Sequence, residues 1–345
     1  MKAVPSKTTM PILECILMDA TTNQIKFTTN DMELGIETIV EGTIEEKGRV
    51  ALDAKIFYEI IRRLPDNDVT ITTDSNFVAT ITCEKAKFTI PGKAGEDFAY
   101  LPVIEKDESL TLSQFTLKEM IRQTIFSIAV NENNRLMTGE LFEIKDNCLK
   151  IVSLDGHRIS IRKMPLKKEY SDRKIVVPGK TLSEISKILS GEIDDQVSIY
   201  FTKNHILFEF DNTKVVSRLI EGEYFKIDQM LSSDYETKVT LNKKEFLDSI
   251  DRATLLVKEG DKKPIIITIN DEGMELQIDS QIGSMKEDID INKMGKDIMI
   301  GFNPKFLIDA LKVIDDEEIH IYLMNPKAPC FIRDDAGQYV YLILP

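Results

Sequence analysis

The pattern of apolar and polar residues repeats three times along the chain. Each repeat reads as a β-branched strand, a short amphipathic helix and further alternating strands, in the ranges 49–90, 174–220 and 297–345. A period of two predicts half-buried strands, and a period near 3.6 predicts amphipathic helices. One apolar and one acidic position recur at an offset of 125 in both steps, at Phe57, Leu182 and Leu307 and at Glu59, Glu184 and Asp309. The constant offset indicates internal duplication rather than chance agreement between strand–helix–strand segments.

A second strand and amphipathic helix precede this unit in two of the three repeats, at 110–128 and 239–257. Leu117, Ile121 and Ile125 have the four-residue spacing of one helical face. The first repeat lacks most of this element, because the first apolar strand, MPILECILMDA, follows the start of the sequence almost at once. We therefore predict domains at 1–106, 107–234 and 235–345. Each is expected to be an α+β domain with an antiparallel sheet and its helices on one face.

Composition narrows the class of protein. The chain has 345 residues, 44 Lys and Arg against 58 Asp and Glu, a net charge of −14 and four Cys without a CxxC pair. Scattered cysteines argue against a disulfide framework or a structural zinc site and favour a reducing compartment. No apolar run has the length needed to cross a bilayer, and no secretory leader is evident. We expect a soluble, acidic, multi-domain cytoplasmic protein that does not bind membranes.

Catalytic signatures are scarce. Gly179, Lys180 and Thr181 follow a strand and open a helix, but the glycine that a phosphate-binding loop needs five positions earlier is replaced by Lys174. The three histidines, His157, His205 and His320, lie in separate repeats without neighbouring ligands. The acidic run 315–318 falls in a predicted loop, where solvated charge is the simplest explanation. We therefore expect no catalytic residues, no metal and no cofactor.

The helices differ in charge from the rest of the chain. Five predicted helical segments, at 53–64, 113–127, 179–189, 242–252 and 303–313, carry twelve Lys or Arg and eight Asp or Glu. Their net charge is +4, which leaves −18 on the remainder. Solvated helices commonly carry Lys and Arg, which is one interpretation. The other is a shared basic surface that faces a polyanion through weak, sequence-independent phosphate contacts.

Several motifs resemble one family closely. They are KTTMPIL at 7–13, NDMEL at 30–34, GEDFAYLP at 95–102, LDGHRI at 154–159, LIEGEYF at 219–225 and YLILP at 341–345. With the 125-residue repeat, they resemble the bacterial sliding clamps, the beta subunits of the replicative DNA polymerase, over essentially the whole chain. Relative to the family, the chain begins late and ends a few residues early, which we expect to cost the first domain one strand and part of one channel helix.

The resemblance implies a head-to-tail homodimeric ring of three clamp-type (processivity fold) domains per subunit, with antiparallel sheets outside and helices lining a channel. Such a ring encircles duplex DNA without sequence specificity and has no catalytic activity. It tethers the replicative polymerase alpha subunit, the clamp loader, repair polymerases, mismatch repair proteins and ligase, which carry short linear motifs.

The resemblance also implies site residues. Lys7 matches a DNA-contacting arginine, and further channel candidates are Lys55, Arg62, Lys118, Arg122, Asn131, Arg135, Lys180, Lys187, Arg252, Lys305 and Lys312. The dimer joint is expected at Phe88, Ile90, Leu255 and Leu256. A partner-peptide groove between the second and third domains is expected at Met137, Leu154, Gly156, His157, Arg158, Ile159, Phe225, Met230, Leu342, Leu344 and Pro345. Each channel candidate could instead be a solvated helix residue. Any of the four joint residues could be ordinary core, and Leu154 and Ile159 could be ordinary strand core.

Two positions depart from the family pattern. Phe225 replaces a common proline, and Gln229 stands where many members have a basic residue, so the groove is expected to differ in specificity. Two other functions stay open from the residues alone. One is a repeat scaffold that binds proteins without DNA, and the other is a hydrolase assembled from scattered residues, which would need a polar cleft with perturbed carboxylates or histidines.

Overall fold

A computed structural model describes residues 3–5, 7–130, 133–257 and 263–345. Within these ranges there are five α-helices: α1 (Ala54–Ile61), α2 (Gln114–Arg122), α3 (Gly179–Ile188), α4 (Lys243–Thr254) and α5 (Pro304–Leu311). The first residues of α1, α3 and α5 are each 125 positions apart. The predicted duplication is therefore present in the backbone as well as in the sequence pattern.

Strands make up most of the remaining regular structure. In the first repeat they are β1 (Cys15–Asp19), β2 (Ile25–Asn30), β3 (Leu34–Val40), β4 (Arg49–Asp53), β5 (Thr70–Thr73), β6 (Val78–Cys83) and β7 (Ala86–Ala94). In the second they are β8 (Ser109–Ser113), β9 (Gly139–Lys145), β10 (Cys148–Leu154), β11 (Arg158–Pro165), β12 (Arg173–Pro178), β13 (Gln196–Phe201), β14 (His205–Phe210) and β15 (Thr213–Arg218). In the third they are β16 (Thr237–Asn242), β17 (Ile265–Asn270), β18 (Gly273–Ser280), β19 (Gly283–Ile289), β20 (Asn292–Gly295), β21 (Ile298–Phe302), β22 (Glu318–Leu323), β23 (Cys330–Arg333) and β24 (Tyr339–Ile343).

Helix starts follow from capping residues. The Asp53 carboxylate accepts from the Ile56 amide at 2.8 Å, and Asn242 and Asn303 cap α4 and α5 in the same way. The helix predicted over 113–127 ends earlier, at Arg122. The Thr124 amide donates to the Ile121 carbonyl oxygen, three residues back, at 3.1 Å, and its hydroxyl donates to the Met120 carbonyl oxygen at 2.8 Å. A separate 3₁₀ turn follows at Ile125–Ser127.

One compact unit comprises residues 1–116 and 187–219. Its strands form a single antiparallel sheet in the order β5-β6-β7-β4-β1-β2-β3-β15-β14-β13-β8. Strand β3 of the first repeat pairs directly with β15 of the second, with Ile36 opposite Val215. The core beneath the first repeat contains Leu52, Phe57 and Ile81. Backbone hydrogen bonds therefore join the first and second repeats edge to edge.

The other compact unit comprises residues 117–186 and 220–345. It contains a nine-stranded sheet, in the order β12-β9-β10-β11-β24-β23-β22-β16-β20, and a four-stranded sheet, in the order β19-β18-β17-β21. Strand β11 of the second repeat pairs with β24 of the third, with Ser160 opposite Tyr341. The large core of the third repeat joins both sheets to α4 and α5 through residues such as Phe246, Ile250 and Leu311.

Exposed apolar side chains distinguish the first repeat. Ile56, Tyr58 and Ile61 on α1 are 47%, 45% and 37% exposed. At equivalent positions of α5, Ile308 and Leu311 pack into the core that α4 shares. Strand β5 ends its sheet among the described residues, whereas its counterparts β13 and β22 pair with β8 and β16. No helix in the described part of the chain is long and apolar enough to span a bilayer.

Gly179 has a packing role at the start of α3. A Cβ atom on it would lie 2.2 Å from Ile128 Cδ1 and 2.9 Å from the Thr138 carbonyl oxygen. The glycine therefore allows β12 and α3 to approach neighbouring backbone. This close approach accounts for the glycine at position 179 without a bound phosphate.

A carboxyl group is buried inside the second repeat. Glu140 on β9 has no exposed surface, and neither of its carboxyl oxygens makes a well-formed hydrogen bond with the described residues. Burial raises the pKa of this carboxyl from its usual 4.5 to about 8, against a smaller opposing effect of the Thr124 hydroxyl. Glu140 is therefore protonated in the folded protein at neutral pH.

Replacement of Glu140 with Gln should make the protein less sensitive to alkaline pH. Between pH 4.5 and about 8 the unfolded state releases the Glu140 proton while the folded state keeps it, so wild-type stability falls as pH rises. The loss is at most about 1.4 kcal/mol per pH unit. Urea unfolding at pH 5.5, 6.5, 7.5 and 8.5 should show a stability advantage of E140Q that grows with pH.

Glu143 provides a matched control on the same strand. Its burial raises the carboxyl pKa, but hydrogen bonds from Lys150 and Lys174 outweigh this effect and lower the pKa below 4.5. Both states are then ionised across the tested range, so E143Q should change stability by an amount that is constant with pH. Parallel curves for wild type and E140Q would contradict the assignment of a neutral Glu140.

Candidate functional site

The residues predicted for a groove lie together at the junction of β10, β11 and β24. Leu154, Ile159 and Leu342 are 4%, 6% and 4% exposed and belong to one apolar cluster. We call the buried residues Leu154, Ile159 and Leu342 the floor of the candidate groove. Met137 and Phe225 pack against this floor and are partly accessible to solvent.

Exposed residues border this floor. Gly156, His157, Met230, Leu344 and Pro345 all reach solvent, with Met230 47% and Leu344 37% exposed. The Phe225 ring lies edge-on to Tyr224, with 5.5 Å between ring centroids. Gln229 is also exposed, in the 3₁₀ turn Ile227–Gln229. Apolar side chains that are partly exposed beside a few polar groups suit the capture of a short peptide.

The turn between β10 and β11 holds the end of the chain. Asp155 accepts from the backbone amides of His157 and Arg158 at 3.0 and 3.2 Å. Gly156 has a φ of +86°, a conformation that favours glycine. The Leu344 amide donates to the His157 carbonyl oxygen at 2.9 Å. The last residues of the chain are therefore fixed beside this turn.

The environment of Arg158 differs from the one expected for a residue that lines the groove. It is 7% exposed, and its guanidinium donates to Asp155, to Asp309 at 2.7 Å and to the Phe126 carbonyl oxygen at 2.6 Å. The group also lies 4.6 Å from the Phe306 ring centroid. The guanidinium is therefore hydrogen-bonded inside the protein. Arg158 stabilises the turn between β10 and β11 and does not present its charge to a ligand. Phe306 and Asp309 were not among the predicted site residues.

The basic candidates in the first compact unit are exposed. They are Lys7, Lys55, Arg62 and Lys187. Arg62 forms an ion pair with Glu59 at 3.0 Å and lies over the Tyr58 ring. Lys55 is on the exposed side of the first turn of α1.

The second unit holds the remaining basic candidates. Lys180, Lys305, Lys312, Arg135 and Arg252 are exposed, and Lys118 and Arg122 are half-buried. Arg122 pairs with Glu119 at 2.6 Å and with Asp315 at 3.0 Å, and Arg252 pairs with Glu287. Asn131 lies outside the described residues. Arg62, Arg122 and Arg252 are thus already paired with carboxylates, and Lys305 Nζ lies 3.8 Å from Asp309.

The residues expected at a dimer joint have different environments. Phe88 is 40% exposed on β7, whereas Ile90, two residues later, is 8% exposed and packs into the core of the first repeat. Residues two apart on a strand share a face, so the difference comes from packing: Ile90 lies in a core cluster with residues of α1 and β6. This burial removes the Ile90 side chain from the predicted contact surface. Leu255 is 77% exposed after α4. Leu256 is half-buried, with Cδ2 3.4 Å from the Cβ position of Gly283 at the start of β19.

Titratable groups do not assemble into a reactive centre in the described ranges. His157 lies beside Phe306, and His320 Nδ1 is 2.9 Å from the Thr240 hydroxyl. Burial, with a smaller effect of Arg218, lowers the pKa of His205. Within the described residues, no group of three or more His, Cys, Asp or Glu side chains is placed to hold a metal ion. Glu140, the carboxyl with a strongly raised pKa, has no access to a substrate.

Three family models match consecutive parts of the chain. They describe the N-terminal, central and C-terminal domains of the DNA polymerase III beta subunit and match residues 1–102, 111–226 and 228–345. A relative from Staphylococcus epidermidis named beta sliding clamp is 34% identical, with 100% of this chain and 94% of the relative covered.

Solved structures have the same fold. A crystal structure from Eubacterium rectale, described as a DNA polymerase III beta subunit, is 71% identical and has a TM-score of 0.97. The DNA polymerase sliding clamp from Bacillus subtilis is 34% identical, with a TM-score of 0.96. Each comparison covers 100% of this chain and 94% of the other.

Proposed function

The chain belongs to the DNA polymerase III beta subunit family, the bacterial sliding clamps, and from that membership we propose how its own residues perform the task. The protein is a DNA sliding clamp of DNA replication, a processivity subunit without catalytic activity. What has to be explained is how this chain forms a ring, faces the duplex and holds its partners.

Ring closure is supported by the strand pairing between repeats, the observation that carries this proposal. Strands β3, β11 and β19 are equivalent, as are β7, β15 and β24, because each occupies the same place in its repeat. Within the chain, β3 pairs with β15 and β11 pairs with β24. By the same rule β19 would pair with β7 of a second copy. A head-to-tail dimer satisfies this rule twice and closes the ring.

Strands β7 and β19, whose equivalents pair with each other within the chain, have open edges. Residues 86–91 of β7 pair only with β6 among the described residues, and β19 is the last strand of its sheet. Phe88 lies on one open edge, and Leu255 and Leu256 lie beside the other. Open edges and exposed apolar side chains at both places favour strand pairing between subunits.

The exposed basic residues suit a duplex that moves. We infer that the channel is lined by Lys7, Lys55, Arg62, Lys118, Arg122, Arg135, Lys180, Lys187, Arg252, Lys305 and Lys312. Phosphate contacts from exposed lysines are weak, salt-dependent and independent of sequence. Retention on DNA would then come from topology, and the contacts would keep the duplex centred while it slides.

The groove is proposed to receive short linear motifs of partner proteins. Its floor of Leu154, Ile159 and Leu342 is rigid strand core, and Met137 and Met230 are flexible side chains that adapt to varied ligands. The polymerase alpha subunit, clamp loader, repair polymerases, mismatch repair proteins and ligase would compete for this surface. With domain boundaries proposed at 1–106, 107–234 and 235–345, the groove would lie between the second and third domains.

Retention on circular DNA tests the topological mechanism. After loading onto nicked circular duplex by a clamp loader, the protein should stay bound through gel filtration at a salt concentration that removes phosphate-bound proteins. Linearisation should then release it, because the ring can slide off an end. A protein-binding scaffold without DNA function would not be retained on the circle, and retention after linearisation would contradict encirclement.

Substitution of Leu255 with Glu should weaken the dimer. Burial of a leucine side chain contributes about 1.5–3 kcal/mol, and the ring has two joints, so we expect the dissociation constant to rise at least about tenfold. Analytical ultracentrifugation would measure the shift toward monomer. Val103, 97% exposed, provides a matched control, since V103E should leave the dimer unchanged. Equal dimerisation of L255E and wild type would refute the joint.

Removal of Leu344 and Pro345 should weaken the groove but spare the ring. The Leu344 amide is held by the His157 carbonyl oxygen, so deletion removes one wall of the groove and its anchor. Calorimetry with a peptide that carries the polymerase motif should show reduced affinity, while sedimentation still shows a dimer. Unchanged peptide affinity would count against the groove assignment.

A further inference from the structure

The repeat supplies an internal comparison for Arg158. The turns before β3 and β11 are equivalent: Asp31 caps the Leu34 amide at 2.7 Å, and Asp155 caps the Arg158 amide at 3.2 Å. Leu34 is 1% exposed, so the joint between the first and second repeats uses a buried hydrocarbon where the next joint uses a buried charge. Pairing of the strands therefore does not require an arginine at this position.

A buried charge carries an energetic penalty that an apolar side chain avoids. Desolvation of an ion pair commonly offsets its attraction, and apolar replacements are often neutral or stabilising. Arg158 nevertheless has three directed hydrogen bonds and lies against Phe126 and Phe306. These directed hydrogen bonds hold the Arg158 side chain in one orientation more strongly than the packing of a leucine would. This indicates that Arg158 positions the residues around it.

Arg158 fixes the position of one wall of the groove, which His157 and Leu344 form. Arg158 follows His157, whose ring lies 5.8 Å from Phe306 and whose carbonyl oxygen holds Leu344. Arg158 is in turn held by Asp309 on α5, which lies 151 residues away along the chain. It is 23% exposed, and its Oδ2 atom is 2.7 Å from Arg158 and 3.8 Å from Lys305.

We propose that Asp309 is a positioning residue for partner binding: through Arg158 it fixes the His157 turn and the last residues of the chain, and so sets the affinity of the groove without touching the peptide. The proposal rests on the groove assignment above. It makes α5, a helix that carries the exposed channel candidate Lys305 and ends just before Lys312, part of the support of the groove.

Calorimetry with the polymerase-motif peptide and the intact dimer tests this role. D309N should bind the peptide about fivefold or more weakly than wild type, with unchanged dimerisation. Glu59 is a matched control, since it occupies the equivalent position of α1 and pairs with Arg62 and Arg63 at 3.0 and 2.9 Å. E59Q should bind the peptide as wild type does. Wild-type affinity in D309N would overturn the proposal and leave the clamp function intact.

A double-mutant comparison tests whether Asp309 acts through Arg158. R158L introduces the side chain found at the equivalent joint and should also weaken binding. Addition of D309N to R158L should have no further effect, whereas additive losses would overturn the proposed route.

A second variant keeps the test decisive if D309N fails to fold. R158L/D309L replaces the ion pair with an apolar pair that can preserve the packed joint. A folded R158L/D309L dimer with reduced peptide affinity would support the proposal, and one with wild-type affinity would overturn it. Absence of peptide binding to the wild-type protein would instead overturn the groove assignment, and this inference with it.

Discussion

The structure depends above all on the backbone groups at the edges of each repeat. A sheet edge exposes N–H and C=O groups that either pair with another strand or attract unwanted partners. Pairing of β3 with β15 and of β11 with β24 removes two such pairs of edges inside the chain. In the proposed dimer the same requirement passes to β7 and β19, so the strand pairing that builds the subunit would also set the contact between subunits.

Topological retention changes what is required of the charged residues. A protein that must grip DNA needs many free cations, whereas a ring needs only weak contacts that do not impede sliding. Arg62, Arg122 and Arg252 are each tied to a carboxylate, which limits their attraction for phosphate. A net charge of −14 is compatible with this function, because the helical segments carry a net charge of +4 and the surplus of acid lies elsewhere.

Periodic features could be predicted from the sequence, and features set by long-range contacts could not. The 125-residue offset correctly anticipated where α1, α3 and α5 begin, because local pattern and capping determine helix starts. Alternation along β7 did not reveal which of Phe88 and Ile90 was buried, since that depends on the packing of β6 and α1. The burial of Arg158 depends on Asp309, 151 residues away, and its only sequence signal was the recurring acidic position.

That recurring acid shows how duplicated domains acquire separate tasks. The backbone position is the same in α1 and α5, yet Glu59 pairs with Arg62 and Arg63 just past the end of α1, while Asp309 reaches Arg158 at the start of β11. The difference lies in the first residue of the strand at each joint, which is the buried Leu34 in β3 and Arg158 in β11. Duplication therefore fixes where side chains can meet, and substitution at the joint decides whether the meeting only packs the sheet or also shapes a binding surface. Specialisation of this kind leaves edge pairing intact, because it changes side chains and not the hydrogen-bonded backbone.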